Sequence, residues 1–372
     1  MKKFQLYIII VIIAFQGCSY QNETILQKEE ITVSSESKKY ILSESTSGTI
    51  NFECYLESNF DGLLLLKNNN GEGFRYKLNT QRKLYPVDYK IGQWQSFRLH
   101  WNMASSSLSI LVNGQLQTTC LAKTEKIESI NQFEIRPLVH EKEIKIRNLS
   151  FKGDNKPVKK RLKIVAFGNS ITAYRKTITG VYSQRLPELL LNEGIPNIIF
   201  NEGVRGSHTG RLSDNDKHRV AHALDRFEKS VLAKSPNIVI LCFGINDSWH
   251  DDDSNKPRIP LNDYEKNMRF MIESCLQNDS KIILLTPNAL GREFEKWRYD
   301  YTLKYVQVVR ELAKEYDVSL IDQWQAFEDY TQKGNDTDDL LLDGLHPNDK
   351  WHKELAIKLT NEIVLITNST EQ

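Results

Sequence analysis

The chain has 372 residues, 40% hydrophobic and 26% charged, with 49 Lys and Arg against 48 Asp and Glu. Its length allows two domains and its composition is that of an ordinary globular protein, neither fibrous nor disordered. A net charge of +1 with scattered basic residues gives no global field that would gather nucleic acid or an anionic membrane.

Lys2 and Lys3 open the chain, and residues 6–15 form an apolar run of ten. That run is too short to span a bilayer and suits the hydrophobic part of an export signal. Phe15-Gln16-Gly17-Cys18 follows and resembles a bacterial lipoprotein processing site. The resemblance implies a signal peptide over 1–17, cleavage before Cys18 and lipid on its thiol. The protein is then exported and held to the membrane by that anchor, facing the periplasm or the exterior; a plain secretion signal is the alternative. Residues 18–29 are polar and expected to be a tether.

Residues 30–153 read as an all-β domain. Short alternating runs at 49–56, 63–67, 74–78, 96–101, 108–112, 132–137 and 144–151 are separated by turn formers such as Asn69-Asn70-Gly71 and Asn113-Gly114. Seven short strands at this spacing predict a β-sandwich. Gly92-Gln93-Trp94, followed by Leu108 to Gly114, resembles laminin-G or concanavalin-like domains. The resemblance implies a sugar-binding module, with a structural spacer as the alternative. Trp94 and Trp101 would stack on sugars in the first case and fill the core in the second. Cys54 and Cys120 fall in strand-like segments where a disulfide is open in an oxidising compartment. Cys242 and Cys275 read as small core residues.

Residues 154–160 are a polar linker. From 161 to 368 strands and helices alternate. The runs at 162–167, 197–200, 238–243, 282–286 and 318–321 are continuously apolar, the mark of parallel strands covered on both faces. Val220, Leu224, Phe227 and Val231, and later Leu355, Leu359, Ile363 and Ile366, repeat at helical spacing. Five such units predict a three-layer α/β/α, flavodoxin-like domain with a five-stranded parallel sheet.

Four motifs in this second domain fall at the ends of predicted strands or in loops: Gly168-Asn169-Ser170-Ile171, Asn201-Glu202-Gly203-Val204-Arg205-Gly206, Gly244-Ile245-Asn246-Asp247 and Asp343-Gly344-Leu345-His346. A serine hydroxyl needs a base to act as a nucleophile, and Asp-x-x-His offers one base with its orienting carboxylate. There is no Gly-x-Ser-x-Gly elbow of the α/β-hydrolase kind. Singly, each motif is as consistent with a helix cap or a turn. Together and in this order they resemble the SGNH (GDSL-type) hydrolase family. The resemblance implies Ser170, Asp343 and His346 as catalytic residues. It also implies an oxyanion hole from Ser170, Gly206 and Asn246, and an acyl-serine intermediate formed without metal or cofactor. Asn169 replaces the Asp usual in the first motif, which bears on loop hydrogen bonding rather than on the triad.

For the substrate, an exported esterase with a sandwich resembling sugar-binding folds points to a carbohydrate O-acetylesterase acting on an acetylated glycan. A short-chain or lipid esterase, or a glycan-binding lipoprotein with an inactive hydrolase domain, stand as alternatives. The polar loop 248–259 is expected to border the cleft, with Arg205, His208, Trp249 and Asn288 as candidate rim residues. For His208 the competing expectation is a histidine of a surface loop. The three aspartates at 251–253 lack calcium-ligand spacing.

Overall fold

The computed structural model describes residues 23–34, 36–56, 60–79, 90–138, 143–251 and 256–369. The signal, Cys18, and Asp252 and Asp253 lie outside the described residues.

Two compact units divide the chain. Strands of the first are β1 (Thr24–Gln27), β2 (Ile31–Val33), β3 (Lys38–Ser45), β4 (Ser47–Leu56), β5 (Asp61–Lys67), β6 (Gly73–Asn79), β7 (Trp94–Asn102), β8 (Ser107–Val112), β9 (Gln115–Leu121), β10 (Ile130–Pro137) and β11 (Ile144–Asp154). They form two antiparallel sheets. One runs β1-β11-β4-β7-β8-β9 with β2 also on β11, and the other runs β3-β10-β5-β6. Along β4 every second residue is buried, as a half-covered strand requires. Phe52 on β4 stacks on Phe97 (5.2 Å between ring centres) and meets Phe133 of the other sheet at 5.8 Å. Trp101 is fully buried against Phe151, whereas Trp94 is half-buried beneath the Arg147 guanidinium. Each such buried aromatic contributes about 1.5–3 kcal/mol.

The strands at 24–27, 31–33, 38–45 and 115–121 add to the seven expected. Thr24–Gln27 corrects the expected tether: its backbone pairs with β11, and hydrogen bonding to a neighbour outweighs a weakly apolar sequence. Cys54 on β4 and Cys120 on β9 do not pair. They stand three strand positions apart, roughly 14 Å at the usual inter-strand spacing and beyond a disulfide's reach.

The second unit comprises Lys159–Gln372 with the short pieces Ala104–Ser107 and Leu121–Lys123. Its elements are β12 (Leu162–Gly168), α1 (Tyr182–Asn192), β13 (Asn197–Gly203), α2 (Ala223–Ser230), β14 (Ile238–Cys242), α3 (Leu261–Gln277), β15 (Lys281–Leu285), α4 (Lys296–Glu315), β16 (Ser319–Ile321), α5 (Gln323–Gln332) and α6 (Asp349–Ser369). The five strands are parallel, in the order β13-β12-β14-β15-β16. This is the flavodoxin-like order. Ile164 and Ala166 face a core shared with Leu186 of α1, Phe327 of α5 and Leu355 of α6. Phe167 points the other way, edge-on to Phe227 of α2 at 5.7 Å. Helices therefore cover both faces, which is why the strand sequences are continuously apolar.

Candidate active site

In such a sheet the strands' carboxyl ends form the binding edge. β12 ends at Gly168 and Ser170 follows two residues later. The turn is held by the Asn169 side chain, whose Oδ1 accepts the Ile171 N–H at 2.9 Å. An amide oxygen thus serves as the local acceptor at the position of the expected Asp. Asn201 ties β13 to this turn, its Nδ2 donating to the Thr172 carbonyl (2.6 Å) and to Ser183 Oγ (2.7 Å). A Cβ at Gly203 would stand 2.3 Å from the Ala173 nitrogen, so only glycine lets the two loops approach this closely.

The last motif lies between α5 and α6. Leu342 N–H donates to the His346 carbonyl at 2.8 Å and closes a tight loop. His346 Nδ1 lies 3.0 and 2.9 Å from the two Asp343 oxygens, and its backbone N–H donates to Oδ1 at 2.8 Å. With Nδ1–H given to the carboxylate, Nε2 is left as an acceptor and faces Ser170 Oγ at 3.1 Å. Residues 176 positions apart thus complete one Ser-His-Asp relay. Burial works to raise the Asp343 pKa, but the bonds from His346 outweigh it and hold it below the ordinary value. Burial first, and the nearby Arg175 second, pull the His346 pKa down, so at neutral pH the imidazole is a free base.

Gly206 has φ +76°, and a Cβ there would meet the His218 ring at 2.5 Å. Asn246 donates one Nδ2 hydrogen to the Ser207 carbonyl at 3.0 Å, and its Oδ1 accepts from Arg258 at 3.4 Å. Arg258 is itself paired with Asp251 at 2.7 Å. Asp247 is fully buried and ties the loop that follows the second motif to the third: it accepts from Thr209 N–H (2.7 Å), Thr209 Oγ1 (2.5 Å) and Gly244 N–H (3.0 Å). Burial pushes its pKa up to about 6 despite these bonds.

The four candidate rim residues are placed differently from one another. Arg205 is exposed and its Nη2 donates to the Tyr174 carbonyl at 2.8 Å. Trp249 is half-buried, edge-on to Phe294, with the Arg298 guanidinium 4.0 Å over its ring. His208 is fully buried rather than part of a surface loop. Its ring accepts the Gly210 N–H at 3.2 Å, lies 3.2 Å from the Asn215 carbonyl, and stacks on His222. Asn288 is likewise fully buried, its Nδ2 donating to the Leu345 carbonyl at 3.0 Å. Loop backbones turned inward need polar partners, and these two side chains supply them; neither forms an exposed rim.

Two residues went unmarked by the sequence patterns. Arg226 on α2 donates to the Gly168 carbonyl (2.8 Å) and the Glu202 carbonyl (2.6 Å), fastening the ends of β12 and β13. Burial lowers its pKa to about 10, and it stands over the Phe167 ring at 4.1 Å. Arg175 is the second, half-buried within electrostatic reach of Asp343. A charged position beside an apolar helical stripe carries no sequence mark that distinguishes Arg226 from a solvated arginine. Arg175 has no helical or motif context at all.

Residues 166–354 match the profile of the GDSL-like Lipase/Acylhydrolase family, and the chain belongs to that family. It is a serine hydrolase acting on esters. Among its relatives is an acetylxylan esterase of Geobacillus stearothermophilus, 27% identical over 202 residues, covering 53% of this chain and 84% of that protein. Another is the isoamyl acetate-hydrolyzing esterase 1 homolog of Rattus norvegicus, 25% identical over 200 residues, covering 50% and 74%. The crystal structure of the acetyl xylan esterase AlAXEase is similar with a TM-score of 0.45 at 25% identity, covering 54% of this chain and all of that one (100%).

Proposed function

We propose that the chain is a carbohydrate O-acetylesterase in which Ser170 is the nucleophile, His346 the general base and Asp343 its orienting carboxylate. The observation that carries the roles of these three residues is the continuous hydrogen-bond relay from Asp343 through His346 to Ser170 Oγ. His346 Nε2 takes the hydroxyl proton as Oγ attacks the acetyl carbonyl, and Asp343 stabilises the imidazolium that results. The negative oxygen that develops is received by the N–H groups of Ser170 and Gly206 and the remaining amide hydrogen of Asn246. His346 then returns its proton to the sugar oxygen as it leaves. Water, deprotonated by the same base, releases acetate from Ser170.

An acetyl group on a sugar is supported by the acetylxylan esterase relative. The isoamyl acetate esterase relative favours an acetyl group without a sugar and keeps a short-chain esterase as the second reading. The basic start, apolar run and Cys18 support export and a lipid anchor. Acetate release is to be measured on acetylated polysaccharides beside p-nitrophenyl esters of rising chain length. Release from the glycans supports this function, and turnover confined to simple esters overturns it. A Cys18→Ala form that leaves the membrane fraction supports the anchor, and one that stays contradicts it.

A further inference from the structure

Two cationic side chains belong to the loops that carry Ser170 and Gly206, and the mechanism above uses neither. Arg175 lies on the loop that begins with Ser170, and Arg205 immediately precedes Gly206. Arg205 Nη2 donates to the Tyr174 carbonyl at 2.8 Å, so its side chain reaches across to the residue before Arg175. The charges that act on Arg175 are Asp343 and Arg205. Asp343 already gives both oxygens to His346. The local balance is therefore two guanidiniums against one committed carboxylate.

Both arginines also oppose the base. Burial contributes most to lowering the His346 pKa, and Arg175 and then Arg205 lower it further. Cations beside an imidazole that must itself become cationic work against proton transfer. An anion bound by them would offset that opposition and supply a countercharge that is not already committed to His346. A guanidinium also matches an anionic group in geometry as well as in charge.

We propose that Arg175 and Arg205 recognise an anionic group on the substrate, so that the glycan is one whose acetylated sugar, or its neighbour, carries a carboxylate or sulfate. The proposal rests on the carbohydrate reading above and narrows it. It makes the substrate's own charge part of setting the base.

The test uses the full chain with three matched probes: a mono-O-acetylated methyl hexuronoside, the corresponding neutral hexoside and its sulfated counterpart. The wild type should favour a charged probe over the neutral one in kcat/KM by about tenfold to a hundredfold, the usual effect of a charge-assisted hydrogen bond. The carboxylate and sulfate arms identify which anion is taken. Arg175→Gln and Arg205→Gln should each reduce that ratio mainly through KM, and Arg205→Lys should restore part of it. With a charged probe the acid limb of kcat should lie at higher pH than that of kcat/KM; with the neutral probe the two should coincide. Equal kcat/KM on charged and neutral sugars by the wild type, or a preference that survives both Gln variants, overturns the proposal while leaving the acetylesterase reading intact. No acetate from any of the three sugars, with p-nitrophenyl acetate still cleaved, removes the carbohydrate reading and the proposal together.

Discussion

Asn288, just past the end of β15, donates its Nδ2 hydrogen to the Leu345 carbonyl at 3.0 Å, one residue before His346. The bond fixes the base loop to the central sheet. Asn288→Ala leaves the Leu345 carbonyl without this donor, which should cost about 1–3 kcal/mol of stability. Turnover should fall through kcat with little change in KM, because the base loses its position rather than the substrate its contacts. Denaturant midpoints and steady-state kinetics check this; unchanged kcat would show that the loop holds its place without Asn288.

Asn246 is anchored by the Ser207 carbonyl and Arg258. Asn246→Ala should lower kcat by about a hundredfold to a thousandfold, the usual effect of losing one oxyanion donor. Circular dichroism should be unaltered, because Asp247 still holds Thr209, beyond the second motif, to the third motif through two bonds when the single Asn246 bond to Ser207 is lost. A fall in KM-linked binding with kcat preserved would assign Asn246 to the substrate's ground state instead.

The pH profile follows from His346. Burial and Arg175 hold its pKa below the ordinary histidine value, and only the neutral ring accepts the Ser170 proton. Activity on an uncharged ester should therefore persist below about pH 6.5 before it declines. Arg175→Gln removes one depressing charge and should move that acid limb to higher pH. A limb that stays fixed would mean that Arg175 does not act on the base.

Stability should depend on pH through His352. It is buried, its Nδ1 accepts the Tyr182 N–H at 3.3 Å, and burial brings its pKa down to about 3. The folded ring stays neutral while the unfolded chain takes up a proton near pH 6.5. Its contribution is therefore full above that value and is lost as pH falls toward 3, by up to about 1.4 kcal/mol per pH unit. Asp247 has the opposite sign: its folded pKa of about 6 is raised, so its contribution is lost as pH rises through that value. His352→Gln should flatten the acid decline of the denaturant midpoint between about pH 6 and pH 4. An unaltered decline would assign the acid sensitivity to other groups.

The second unit was legible in the sequence because its physics is local. Val239, Ile240 and Leu241 are all fully buried in a strand covered on both faces, and their run of apolar residues states as much. The site motifs were legible because loops at strand ends need glycine and asparagine where side chains crowd, as at Gly203 and Gly206. The strand at 115–121 was not legible beyond a strand-like segment around Cys120, since Gln117, Thr118 and Thr119 give it too little alternation and its partner β8 supplies the order. Nor was the burial of His208, Asn288 and Arg226. Each is a polar side chain drawn inside by backbone groups of distant segments, and such partners are set by the tertiary fold alone.

The central claim is that Ser170 carries the acyl transfer. Acetate release by the full chain and by Ser170→Ala, measured on the same acetylated glycan, tests it most directly. Turnover should fall by about a thousandfold to a millionfold, as when a member of such a relay is removed, with the thermal transition kept. A Ser170→Ala protein that releases acetate at the wild-type rate would contradict the account.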